Sequence, residues 1–115
     1  MIVGHMNDIP FKNINSSEVK DASIKVLVSP NEGWEGHVMR VLEVGVSGYT
    51  PKHQHPWPHI NYIIEGKGEL MINHQYYNIS AGSYAYVPQD TIHQFKNIGT
   101  IPLKFICIVP EIGHK

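Results

Sequence analysis

This chain is poor in cysteine, in charge and in uninterrupted apolar sequence, and each shortage excludes something. Cys107 is the only cysteine among the 115 residues. An internal disulfide is therefore excluded, which agrees with a reducing compartment. Charged residues are 17% of the chain, nine basic against ten acidic, for a net charge of -1. No basic face is implied, so a nucleic-acid partner has no electrostatic footing. The apolar runs are short, Ile60 to Ile64 being interrupted by Asn61, and none approaches the roughly 20 residues of a membrane span. Met1 to Phe11 lacks the basic start and apolar block of a signal peptide, so no membrane association and a cytoplasmic location are expected. Helix signals are also scarce. Pro and Gly interrupt the chain too often for a clear 3.6-residue period, and only Asn15-Ser16-Ser17-Glu18, before Val19 to Ala22, suggests a brief helical turn.

Strand signals are abundant and evenly spaced. Ile24 to Val28, Val38 to Val46, Ile60 to Ile64, Glu69 to Ile72, Tyr76 to Ile79, Tyr84 to Val87, His93 to Lys96 and Leu103 to Val109 each read as a strand. Between them, Pro30 to Gly33, Ser47-Gly48, Gly66 to Gly68, Asn73-His74 and Pro88 to Asp90 read as turns. Many short strands with Gly, Pro and Asn turns mean an all-β antiparallel sandwich or barrel. The length suits a single domain, 1–115.

Histidine is the residue in excess, with eight in the chain. Four of them fall in tight surroundings. His53 and His55 are two apart, and on a strand they would point to one face. Pro56-Trp57-Pro58 stiffens the bend that follows, and His59 opens the next strand. His93 lies far along the chain, after Gly82, Pro88 and Asp90, at the start of a returning strand. If a barrel brings the two segments together, His53, His55, His59 and His93 converge on one divalent transition metal. His5, His37, His74 and His114 are read as ordinary surface or core residues.

These residues resemble the two cupin motifs. In the first, a Gly precedes His-x-His, then come a few residues, a Glu, six further residues and a Gly. His53-Gln54-His55 and Gly66 match it, His59 stands where Glu is usual, and Gly48 is one position off the leading Gly. In the second, Gly82, Pro88, His93 and Asn97 fit each position, with Asp90 in place of the turn Gly. Asp tolerates the left-handed conformation such a turn needs. The resemblance implies a jelly-roll (double-stranded β-helix) barrel. It is greatest for small single-domain bacterial cupins with four His ligands, some of which bind manganese. That subgroup often has Glu directly after the third His, where this chain has Ile60.

Four neutral imidazoles would leave a divalent ion at net charge +2, rather than the +1 of three His and a carboxylate. A stronger Lewis acid with a preference for anionic oxygen ligands follows. Imidazole suits Fe, Co, Ni, Cu and Zn, with Mn a further candidate, and the donor set does not choose among them. Around the site, Trp57 either shields the metal, stacks on a substrate or only packs. Arg40 either binds a substrate anion or faces outward. Phe105 and Cys107 share one face of the last strand and are candidates for the barrel floor. No basic partner for Cys107 is evident, which argues against a nucleophilic role.

No paired carboxylates, nucleophile elbow or phosphate loop appear, so catalysis would fall to the metal. The resemblance implies a metal-dependent enzyme on a small oxygenated organic molecule. Dioxygenase-type oxidation comes first, with isomerisation or decarboxylation behind it. The alternative is a non-catalytic cupin that binds a small molecule or only the metal. A homodimer is expected by the same resemblance, with Met1 to Lys20 as a plausible exchanged or docking strand.

Overall fold

A computed structural model describes residues 1–114. Nine strands form it: β1 (Lys12–Asn13), β2 (Lys20–Val28), β3 (His37–Tyr49), β4 (His59–Glu65), β5 (Lys67–Ile72), β6 (Gln75–Ser80), β7 (Tyr84–Val87), β8 (His93–Asn97) and β9 (Leu103–Pro110). They make one antiparallel sheet in the order β6-β5-β8-β3-β9-β4-β7, with β2 paired to β3 and β1 to β2. The sheet curls into a nearly closed barrel. Strands distant in sequence thus become neighbours: β9 runs between β3 and β4, and β8 between β5 and β3.

The turns are set by local chemistry. Asn73 (φ 51°) and His74 (φ 65°) are both left-handed, as a two-residue hairpin between β5 and β6 requires. Asp90 takes φ 58° in the turn before β8. Gly66 (φ +91°) joins β4 to β5 so closely that a Cβ would lie 2.6 Å from the Pro102 carbonyl oxygen. That junction admits only glycine.

Several expectations need correction. No helical turn forms at Asn15 to Ala22. Ser17-Glu18 is a plain turn, and Lys20 to Ala22 already belongs to β2, because pairing with β3 outweighs a weak capping signal. Pro30 to Gly33 is the turn expected of it, a single 3₁₀ turn ended by Gly33 in the left-handed region. Ser47-Gly48 does not stop β3, which runs on to Tyr49 with Ser47 at φ 65°. Within this single chain the N-terminal segment, expected as an exchanged or docking strand, lies along β2, an arrangement that does not bear on exchange between copies. Lys12 and Asn13 pair with β2, and Lys25 Nζ donates to the carbonyls of Met6 (2.5 Å) and Ile9 (3.2 Å). No helix among the described residues is long and apolar enough to cross a membrane.

The barrel interior is graded along its strands. In β9, Leu103, Phe105, Cys107 and Val109 alternate inward. Across the ladder from them in β3 stand Val44, Leu42, Arg40 and Val38 respectively. β8 sends in His93, Phe95 and Asn97, and β4 sends in His59, Asn61 and Ile63. One end is thus an apolar core of Val44, Ile63, Leu70 and Leu103, closed by the stacked rings of Phe95 and Phe105, 4.2 Å between centroids. Such a pair adds about 1 kcal/mol beyond the area it buries. The other end carries His59, Asn61, His93, Arg40 and Cys107. Asn97 anchors the apolar end, its Nδ2 donating to the carbonyls of Val44 and Ile101 at 2.9 Å.

Candidate metal centre

The segment carrying His53 and His55 is not a regular strand. Pro51, Pro56 and Pro58 supply no N–H, so the run cannot sustain a ladder. It is pinned to β8 at separate points. Thr50 and Phe95 exchange hydrogen bonds, and His53 and His93 form an isolated bridge, with His53 N–H to His93 O at 3.2 Å and the reverse bond at 2.9 Å. The Asp90 N–H donates to His55 O at 2.8 Å, tying in the turn before β8. The expected strand is therefore absent, yet the expected facing survives, with the His53 and His55 rings 5.1 Å apart between centroids.

His53, His55 and His93 form a triad whose ligand atoms all lie within 4.8 Å of one another. His59 is outside that triad but against it. Its ring centroid is 4.8 Å from that of His93 and 5.4 Å from that of His55, and its Nε2 is 3.2 Å from His93 Nε2. Cluster formation is thus a property of the structure, and three of the four rings make a mutually close set.

Hydrogen bonding shows which ring nitrogens are free. His55 Nδ1 is 2.9 Å from the Trp57 carbonyl, His93 Nδ1 is 2.9 Å from the Thr91 carbonyl, and His59 Nδ1 is 2.5 Å from Asn61 Oδ1. All three partners are acceptors only, so each Nδ1 carries the proton and donates. Each Nε2 is left as a lone pair, the arrangement that orients metal-ligating imidazoles. His59 and His93 therefore turn two acceptors toward each other at 3.2 Å. Two lone pairs at that distance repel, and a cation between them removes the repulsion. On this ground the residues fit a divalent metal.

Burial reinforces the neutral state. Desolvation, then the nearby His93, lowers the His59 pKa to about 3, against a smaller opposing effect of the Asn61 bond. Desolvation likewise lowers His93 to about 4, opposed by its bond to Thr91, and lowers His53 with a contribution from His55. Imidazoles that stay unprotonated near neutral pH keep their lone pairs for a metal.

The cluster opens on a cavity of about 200 Å³. Its walls include all the residues singled out around the site: Arg40, Trp57, Phe105 and Cys107. Trp57 stacks on His55, with centroids 4.5 Å apart and 9° between planes, and also abuts Gly113, so its contact is with a candidate ligand. Arg40 lies on the inward face of β3, and its Nη2 is 3.2 Å from Cys107 Sγ. A basic neighbour of Cys107, absent to the eye in sequence, is supplied by strand pairing.

Asn61 and Thr50 were missed. Asn61 is 1% exposed and holds His59, and the one signal for it was its position two residues after a candidate ligand on a strand. Thr50 Oγ1 accepts from the Phe95 N–H at 3.0 Å and fixes the start of the His53 segment. Nothing in the local sequence marks it.

Comparison with known proteins gives three results. The model of the Cupin domain family matches residues 40–109. An uncharacterized protein of Methanocaldococcus jannaschii is 35% identical over 101 residues, covering 84% of this chain and 80% of its own. Among solved structures, the polyketide cyclase RemF from Streptomyces resistomycificus aligns with a TM-score of 0.88 at 23% identity, over 96% of this chain and 79% of that one. A predicted oxalate decarboxylase from Thermotoga maritima aligns with a TM-score of 0.85 at 20% identity, over 95% and 98%. At these identities the two structures establish a shared barrel.

Proposed function

The chain belongs to the cupin domain family, and from that premise we propose that it is a metal-dependent enzyme. In this reading His53, His55, His59 and His93 hold one divalent transition metal, and the reaction is a dioxygen-dependent oxidation of a small oxygenated organic molecule. The observation that carries the proposal is the orientation of the imidazoles. Three donate Nδ1–H to fixed carbonyl oxygens, which leaves their Nε2 lone pairs free, and the cluster lines a cavity.

When bound, the ion supplies Lewis acidity toward anionic oxygen ligands and, if redox-active, an electron source for dioxygen. The chain's own residues do the rest. Asn61 and the Trp57 and Thr91 carbonyls set the tautomers of His59, His55 and His93. The Phe95–Phe105 stack closes the inner end of the cavity against water. Among the described residues lining the cavity there is no Asp or Glu, so no general base of that type competes with the metal for the chemistry. The two structural neighbours, a polyketide cyclase and a predicted oxalate decarboxylase, support a small oxygen-rich substrate.

Elemental analysis of protein purified without added metal, followed by oxygen uptake with a panel of diketones, catechols and 2-oxo acids, tests the proposal. Metal-dependent uptake, lost in His53→Ala and His93→Ala together with the metal, is the expected result. Tight metal retention with no uptake across the panel would replace the enzyme by a non-catalytic binding module.

A further inference from the structure

Arg40 is the one guanidinium of the chain, and it points into the barrel beside the histidine cluster. Strand register accounts for this. Arg40 pairs with Cys107 of β9, and Cys107 pairs in turn with Asn61 of β4. These three residues form a row across three neighbouring strands and share one cavity. Two strand spacings set the backbones of Arg40 and Asn61 about 10 Å apart. Asn61 is the residue that holds His59.

The partners of Arg40 are poor ones. Its Nη2 meets the Cys107 sulfur at 3.2 Å, and its Nη1 is 3.5 Å from His114 Nδ1. Thiol sulfur is a weak acceptor, and the second contact is at the outer limit of a hydrogen bond. The Arg40 Nε is buried and has no partner at all, the only such buried side-chain nitrogen or oxygen among the described residues. His114 brings no compensating charge, because an imidazole is neutral or cationic. No Asp or Glu among the described residues lines the cavity. A guanidinium turned into a cavity with an orphaned donor and no counter-charge among the described residues is costly unless something anionic completes it. Planar guanidinium donors match a carboxylate in both geometry and charge.

We propose that Arg40 is an anion-binding residue of the cavity, and that the ligand is a small carboxylate whose charged end reaches Arg40 while its other oxygen-bearing end meets the histidine cluster. The second half of this statement rests on the metal reading above, and the first half stands on Arg40 alone. The volume of about 200 Å³ suits a small molecule.

Calorimetric titration of the Co²⁺-loaded protein with succinate and with butyrate tests the assignment. The two probes share a four-carbon chain, and only succinate has a second carboxylate. Succinate is expected to bind at least about tenfold more tightly, the size of a charge-assisted hydrogen bond. Arg40→Met should erase that preference and leave the cobalt content unchanged, and Arg40→Lys should keep part of it. Equal affinity for the two probes in the parent protein, or a preference that survives Arg40→Met, overturns the proposal. If Arg40→Met does not fold, the parent comparison and Arg40→Lys still decide. Without metal, both probes are expected to bind through Arg40 alone, weakly and with similar affinity, and Arg40→Met should abolish that binding. A protein that takes up no cobalt yet binds butyrate through Arg40 would sink the metal reading and leave Arg40 in place.

Discussion

Replacing Asn61 with Leu separates a histidine that is merely near the cluster from one that is held ready to ligate. Asn61 is buried, accepts from His59 Nδ1 at 2.5 Å and donates to the Ile106 carbonyl at 3.4 Å. The second contact is long and contributes little, so the effect of the substitution runs through His59. Leu leaves the Nδ1–H of a metal-ligating His59 without an acceptor. A buried donor stripped of its partner costs about 1–3 kcal/mol. Loss of a carbonyl that orients a ligating imidazole typically lowers metal affinity about 10–100-fold, or about 1.4–2.8 kcal/mol. The two estimates agree, so one hydrogen bond suffices to explain the change. The metal-free protein has an escape. There the proton can move to Nε2 and donate to His93 Nε2, which is 3.2 Å away. Asn61→Leu is therefore expected to lose about 10–100-fold in Co²⁺ or Zn²⁺ affinity, measured by chelator competition, while the metal-free melting temperature changes little. Nitrogen chemical shifts of the imidazoles should show the His59 tautomer switching in the metal-free variant. Affinity within about twofold of the parent would refute the reasoning, because a loss of that size is less than about 0.5 kcal/mol and His59 would then not be a ligand positioned by Asn61.

Three further outcomes are expected. His59→Glu should retain metal, because a carboxylate in that slot lowers the charge of the site and remains a good ligand; elemental analysis showing an empty protein would remove His59 from the ligand set. Stability of the metal-free protein should be full above about pH 6.5, the pKa of an unfolded imidazole, and fall as the pH drops toward about 4 for His93 and about 3 for His59, because the unfolded chain takes up protons that the buried rings refuse. Metal dissociation follows the same direction, as protons compete for the lone pairs; a metal-free melting temperature that stays level from pH 7 to 5 would contradict the first expectation, and metal content unchanged over that range the second. Gly66→Ala, at φ +91° with Pro102 O 2.6 Å from the new Cβ, should cost at least about 2 kcal/mol, whereas Gly82→Ala, at φ +94° in open space, should cost only about 1 kcal/mol. Thermal melts that lower both variants equally would show that close approach to Pro102 is not what demands glycine there.

Much of the barrel was legible in the linear chain because a strand announces itself locally. Alternation of inward and outward residues, as in Leu103 to Val109, and turn residues with a left-handed preference, as in Asn73-His74 and Asp90, depend on a few neighbours and are read without knowing the fold. His53, His55, His59 and His93 were candidates for the same reason, as residue types at a spacing. Pairing partners do not announce themselves. The facing of His53 and His55 came from two point attachments to β8, where prolines had ruled out the strand that seemed to demand it. The proton positions on the rings were decided by the carbonyls of Trp57 and Thr91 and the amide of Asn61. Arg40 was equally readable as an outward residue until β9 paired with both β3 and β4 and turned the row Asn61–Cys107–Arg40 into the cavity. Alternation and turn chemistry are local free energies, carried by each short segment wherever it goes. Register between residues 46 or 67 positions apart, as for Asn61–Cys107 and Arg40–Cys107, is fixed only when the whole barrel buries one set of faces together, and it is that collective choice which put a guanidinium beside the histidines.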